Sequence, residues 1–148
     1  AEELLAMQPS GILFSPGPGD PKLLDYVVDN TRKVLGQIPV MGICLGHQLI
    51  ARALGADTFK LKFGHRGGNH PVKDLTDGRV YITAQNHGYA VSPDNLPSGL
   101  EVSHINLNDQ TVEGFRHKSL PLVTTPRTGG SRSPSGTVAR PTSLSNRR

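Results

Sequence analysis

Pro39-Val40-Met41-Gly42-Ile43-Cys44-Leu45-Gly46-His47-Gln48 runs from an apolar strand, through a glycine-flanked corner, into a helical pattern. The corner carries the only cysteine of the chain. A Gly-x-Cys-x-Gly elbow between strand and helix pushes a nucleophile out of a sheet into a cleft. A lone cysteine is more often a small buried hydrophobe. The two flanking glycines weigh against that reading here.

Upstream of the elbow the pattern is strand, loop, helix. Residues 2–8 read as helical, and Gly11-Ile12-Leu13-Phe14-Ser15 reads as a buried strand. Pro16-Gly17-Pro18-Gly19-Asp20-Pro21 is a rigid loop, in which Asp20 can cap a helix opened by Pro21. Leu23, Leu24, Val27, Val28, Thr31, Val34 and Leu35 recur at helical spacing, with Gly36 as the stop. Ile38–Ile43 is the next strand, and His47–Leu54 the next helix, with Leu49, Ile50 and Leu54 on one side. This alternation argues for an α/β fold: an open, mostly parallel sheet with flanking helices.

Downstream the character changes. Thr58–Phe63, Val80–Gln85, Leu100–Asn106 and Thr111–Arg116 read as additional short strands, divided by Gly-Gly, Asp-Gly and Pro-rich turns. Residues 123–148 form a Ser/Thr/Pro/Gly/Arg stretch with few apolar residues, expected to be a disordered basic tail. The expected organisation is a partial domain over 1–122 followed by this tail. The opening Ala1-Glu2-Glu3-Leu4-Leu5 reads as the end of a helix, so the domain is expected to be incomplete at both ends.

The 148 residues suffice for one domain with a real core, although hydrophobic residues make up 35% and aromatics only 5%. Net charge is +4, but residues 123–148 hold five arginines and no acid, so residues 1–122 carry −1. The sequence pI near 9.5 therefore belongs to the tail, and the body is given no nucleic-acid partner. One cysteine excludes an internal disulfide and a Cys-rich zinc site, and no metal is expected. With no membrane-length apolar run and no secretory pattern, a reduced cytoplasmic setting fits, with no membrane partner.

The chemistry of the elbow follows from its position. Cys44 precedes a helix N-terminus, whose N–H groups and dipole lower a thiol pKa. The N–H of Leu45 is placed to receive an oxyanion. A second donor is expected from Gly17, because glycine lets a backbone N–H approach a substrate closely. In an open α/β sheet both loops lie at the carboxyl ends of strands, where ligands bind.

Ser15-Pro16-Gly17-Pro18-Gly19-Asp20-Pro21 and the elbow, in this order, resemble class I, triad-type glutamine amidotransferases. Phe63-Gly64-His65-Arg66-Gly67-Gly68-Asn69-His70-Pro71-Val72 and Thr83-Ala84-Gln85-Asn86-His87-Gly88-Tyr89-Ala90-Val91 narrow the resemblance. They are similar to the small, glutamine-hydrolysing subunits of carbamoyl-phosphate synthases, over roughly residues 1–122. The last two stretches point away from the anthranilate- and GMP-making relatives.

The resemblance implies that Cys44 attacks the side-chain amide of L-glutamine and that water then releases glutamate from a thioester. It implies that Gly17 and Leu45 line the oxyanion hole. It places Gly17, Gly19, Leu45, Gln48, Asn86, Gly88 and Tyr89 in the glutamine pocket. The ammonia would pass to a large synthetase subunit that makes carbamoyl phosphate for pyrimidine or arginine biosynthesis. ATP and magnesium are used by that partner, so no cofactor is expected in this domain.

One departure bears on activity. The family closes its catalytic set with a His-Pro-Glu motif, due near residues 128–130, where this chain has Thr128-Gly129-Gly130. No acid follows Glu113 and no histidine follows His117. The catalytic histidine and glutamate are therefore not found. His47 and His87 are the histidines expected nearest Cys44, but a base also needs hydrogen-bond reach and an orienting partner, and both read better as structural. Thr-Gly-Gly written ACC GGA GGC holds Pro-Glu-Ala in the neighbouring frame, so the tail is a possible frameshift product. Little or no glutamine hydrolysis is expected of this chain. The alternatives are a non-catalytic glutamine- or partner-binding module and an anthranilate synthase-type amidotransferase subunit.

Overall fold

The structure is a computed structural model that describes residues 1–125. Three helices, α1 (Glu2–Ala6), α2 (Asp25–Val34) and α3 (Leu45–Ala53), accompany seven strands. The strands are β1 (Ile12–Phe14), β2 (Val40–Ile43), β3 (Thr58–Asp74), β4 (Val80–Val91), β5 (Leu100–Asn106), β6 (Val112–His117) and β7 (Leu122–Thr125). They form one sheet in the order β1-β2-β7-β6-β4-β3-β5, with β5 also paired to β6.

The first half follows the expected strand–helix alternation. β1, β2 and β7 pair in parallel, with Ile12 opposite Val40 and Val40 opposite Leu122. Parallel neighbours need a crossover, and α2 supplies the one between β1 and β2. A short 3₁₀ turn, Pro21–Leu23, precedes α2, and the Asp20 carboxylate caps it by accepting from the Lys22 N–H at 2.9 Å. The single expected helix over 23–35 is thus split at Leu24. Val28, Thr31 and Val34 form the buried stripe of α2, and Gly36, at φ +82°, follows its end.

The second half is more extensively stranded than expected. β3 runs on from Thr58 to Asp74 instead of ending at Phe63, and β4 reaches Val91 instead of Gln85. Two register shifts interrupt their antiparallel ladder, between Lys60 and His65 and between Gly67 and His70. Gly64 (φ +70°) and Gly67 (φ +112°) sit at these irregularities, where a bulge needs a left-handed residue. Because β3 pairs with β4 and β5, and β6 with β4 and β5, the four strands close into a ring. Among the described residues, parallel pairing is confined to β1, β2 and β7.

The boundary expected at residue 122 falls inside β7. Val123 pairs with Met41 on one side and Arg116 on the other, so Leu122–Thr125 bridges the parallel and antiparallel parts. The β-branched run Val123-Thr124-Thr125 suits a strand flanked on both sides. The rest of the expected tail, residues 126–148, lies outside the described residues.

The core gathers residues of every layer: Val34 of α2, Val40 of β2, Ile50 and Ala51 of α3, Val91 of β4, Phe115 of β6 and Leu122 of β7. Phe115 and Ile50 are fully buried. Each such side chain contributes about 1.5–3 kcal/mol by leaving water. This core fixes α3 against β2 and so holds the elbow. No helix among the described residues is long and apolar enough to cross a membrane.

Candidate functional site

The elbow has the geometry expected of it. Cys44 is the residue between β2 and α3, at φ 54° and ψ −110°. A non-glycine residue at positive φ is strained by roughly 1–3 kcal/mol and is tolerated where its surroundings over-determine it. Those surroundings are the two glycines. A Cβ on Gly42 would lie 2.6 Å from Ile50 Cδ1 and 2.9 Å from the Gly46 backbone. A Cβ on Gly46 would overlap the Phe14 carbonyl of β1. The α3 helix can start this close to the sheet only with glycine at both positions.

Two expected oxyanion donors converge on Cys44, the expected nucleophile. The backbone N–H groups of Leu45 and Gly17 both hydrogen-bond the Cys44 sulfur. Gly17 packs so closely on Leu45 that an added Cβ would lie 2.8 Å from Leu45 Cδ2. The loop after β1 and the start of α3 thus meet at the same end of adjacent parallel strands.

The thiol itself departs from expectation. Cys44 is only 4% exposed. Burial pushes its pKa up, the Leu45 and Gly17 N–H groups pull it down, the Glu113 charge adds to the rise, and the net direction is upward. The helix N-terminus was expected to lower it. Desolvation of the thiolate outweighs the amide dipoles.

The residues expected to form the pocket are brought together in part. Gln48, buried on α3, donates from Nε2 to the Tyr89 carbonyl of β4 at 2.6 Å. Burial and the neighbouring Asp20 carboxylate push the Tyr89 phenol up, which places the Gly17–Asp20 loop beside Tyr89. Gly19 lies in that loop at φ +107° with open space around it. Gly88 is half-buried on β4. Asn86 is exposed on the same strand, opposite Arg66.

His47 is packed into the core. It is 1% exposed, its ring packs on Phe115 at 4.8 Å, and its Nδ1 is hydrogen-bonded to Thr124 Oγ1 at 2.9 Å. Burial drives its pKa down to about 3, so the ring is neutral.

His87 belongs to a cluster that the linear sequence did not reveal. His65 Nε2 lies 2.7 Å from Asp109 Oδ2, and its Nδ1 lies 2.8 Å from Gln85 Oε1 and 3.2 Å from Glu113 Oε1. His87 joins Gln85 Oε1 through Nε2 at 3.0 Å and the Tyr89 carbonyl through Nδ1 at 2.8 Å. Burial acts against a proton on His65, but the Glu113 and Asp109 carboxylates win and push its pKa up to about 9. Burial also opposes the charge on Glu113, yet hydrogen bonds from His65 and Asn106 hold its carboxyl below the usual range. These residues come from four strands and a turn, so no local spacing signals them.

The class-I glutamine amidotransferase family model matches residues 1–125. The carbamoyl phosphate synthase small chain of Listeria monocytogenes is 61% identical over 125 residues, which is 84% of this chain and 34% of that protein. That of Akkermansia muciniphila is 58% identical over 122 residues, 82% of this chain and 33% of that protein. The chain thus spans about a third of the length of these curated relatives. Among solved structures, a glutamine amidotransferase from Thermotoga maritima superposes with a TM-score of 0.68 at 22% identity, covering 82% of this chain and 56% of that one. A second, from Methylobacillus flagellatus, gives 0.64 at 18% identity, covering 82% and 52%. With the elbow, the sheet and the family match in agreement, the chain belongs to the class-I glutamine amidotransferases.

Proposed function

We propose that this chain is the nucleophile-bearing part of a glutaminase that feeds ammonia to a large carbamoyl-phosphate synthetase partner. The observation that carries the reading is the convergence of the Gly17 and Leu45 N–H groups on the sulfur of a strained Cys44. In the reaction, the Cys44 sulfur bonds to the side-chain carbonyl carbon of glutamine. The carbonyl oxygen takes up negative charge and receives the Gly17 and Leu45 N–H groups. The C–N bond then breaks, the amide nitrogen takes a proton and leaves as ammonia. Water adds to the thioester, releases glutamate and returns the thiol. Gln48 and Tyr89, joined across the pocket, hold the amino acid with Gly19, Gly88 and Asn86.

The proton steps need a base. His47 is neutral and buried against Phe115 and Thr124, and His87 is tied to Gln85 and Tyr89. Among the described residues, no hydrogen bond joins either ring to the Cys44 sulfur. We therefore assign this chain glutamine binding with slow hydrolysis. Calorimetric titration with glutamine and a glutaminase assay, run on the chain and on Cys44→Ala, test the two parts. Binding in both with negligible turnover is expected. No binding and no turnover would sink the pocket reading, and fast turnover abolished in Cys44→Ala would overturn the missing base.

A further inference from the structure

The His65–His87–Glu113 cluster has the construction of a metal centre, and this goes beyond the glutaminase reading and does not depend on it. One ligand atom from each of the three residues lies within 4.8 Å of the other two. Every ligand is also held from behind. Asp109 Oδ2 takes the outer His65 Nε2 at 2.7 Å, the Tyr89 carbonyl takes the outer His87 Nδ1 at 2.8 Å, and Asn106 Nδ2 donates to Glu113 Oε1 at 2.9 Å. Carboxylate or carbonyl partners on the far nitrogen are what orient metal-binding imidazoles and select the tautomer.

Two further observations point to a cation at the centre. Glu113 is 0% exposed, yet its Oε2 has no hydrogen-bond partner among the described residues. A buried carboxylate oxygen left bare is costly. The second is His87. Its Nδ1 faces a carbonyl, so that nitrogen carries the proton, and a neutral ring then turns an Nε2 lone pair toward Gln85 Oε1 at 3.0 Å. Gln85 Oε1 is an acceptor and cannot donate to that lone pair, and Gln85 Nε2 is turned to Thr83 Oγ1 at 3.0 Å. Without a metal, the proton on His65 Nδ1 is shared between Gln85 Oε1 and Glu113 Oε1, and it is this proton that a cation replaces.

We propose that His65 Nδ1, His87 Nε2 and Glu113 Oε2 form a zinc-class divalent cation site, with Gln85 Oε1 as a fourth oxygen donor. Two imidazoles with oxygen ligands suit Zn²⁺, which binds them at about 2.0–2.2 Å in a tetrahedral shell. A site closed by four protein ligands is structural. It ties β3, β4 and β6 together and, through the His87–Tyr89 bond, steadies the strand that carries the pocket residues. The expectation of no metal followed from the single cysteine, and this donor set uses none.

The test is made on the full chain after stripping with a chelator. Zn²⁺ is titrated against a chromophoric competitor, Co²⁺ is added for its visible spectrum, and melting is followed with and without Zn²⁺. The expected results are one equivalent of Zn²⁺ per chain, an intense tetrahedral Co²⁺ spectrum and a higher Tm with metal. Binding should weaken at least about tenfold in the His65→Gln/His87→Gln double variant and stay unchanged in His117→Gln. No stoichiometric binding by the wild type, or binding retained by the double variant, overturns the site. If the double variant does not fold, the wild-type Co²⁺ spectrum decides, and a weak octahedral spectrum overturns it. Glutamine turnover is not read, so the outcome leaves the glutaminase proposal standing or falling by itself.

Discussion

The Thr124 hydroxyl lies 2.9 Å from Nδ1 of His47 and joins the strand β7 to the helix that opens at Cys44. The same hydroxyl accepts from the Phe115 N–H and reaches the Phe115 carbonyl, each at 3.1 Å. Thr124 is 1% exposed, so water cannot replace these bonds. Thr124→Val keeps the β-branched shape but strands a buried ring nitrogen and a buried N–H. We expect a loss of about 2–3 kcal/mol, read from urea denaturation, with Thr124→Ser retaining most of the wild-type stability. A Val variant as stable as wild type would show that the His47–Thr124 bond is idle.

Acid sensitivity should carry the signature of His47. Its folded pKa is about 3, below an unfolded value of about 6.5. Between those limits the unfolded chain binds the extra proton, so stability rises with pH and is lost as pH falls below about 6.5. The slope reaches about 1.4 kcal/mol per pH unit for one proton. His65 shifts the other way, to about 9, so its contribution is complete below about 6.5 and adds no slope there. Urea midpoints between pH 6 and 5, with chelator present, should fall more steeply for wild type than for His47→Asn. Equal slopes would mean that His47 is protonated in the folded state.

The elbow was legible because its signal is local. Gly42, Cys44 and Gly46 are spaced by the backbone geometry of one turn, and the close approach of Gly46 to Phe14 explains the glycine directly. That the Gly17 loop meets the start of α3 at Leu45 follows from the rule that adjacent parallel strands present their loops at one end. What escaped was set by long-range pairing. The β3–β4 ladder absorbs polar residues such as His65, Gln85 and Thr83 because they satisfy one another across strands. Polarity along those stretches therefore shortened the expected strands. The composition around Thr124 is turn-like and points to a tail, whereas its place is decided by β2 and β6 on either side. The direction of the Cys44 shift was missed for a related reason, since burial cannot be counted before the chain is folded.

Cys44 should behave as a protected thiol. Burial raises its pKa despite two N–H groups on the sulfur, and an ordinary cysteine is near 8.5. Alkylation by iodoacetamide should be at least about tenfold slower at neutral pH than for a free thiol. Its rate should still climb above pH 9. Mass spectrometry of the alkylated chain across a pH series provides the check, with Cys44→Ala as the blank. A rate plateau between pH 6 and 8 would reveal a thiolate paired with a base.

The position most sensitive to a single methyl should be Gly46. Its added Cβ would overlap the backbone carbonyl of Phe14, and a strand backbone cannot rotate aside as a side chain can. Relief requires α3 to lift from β1, which disturbs Ile50 and Ala51 in the core. We expect Gly46→Ala to cost about 3 kcal/mol or to prevent folding. Gly68, with nothing within 4 Å of an added Cβ, is the control. Gly68→Ala should stay within about 0.5 kcal/mol of wild type. Urea midpoints of the two variants provide the comparison, and it rests on geometry at one atom. If both alanines prove equally mild, then α3 is not seated on the sheet as closely as the Gly46–Phe14 approach requires, and the strain at Cys44 has no such support.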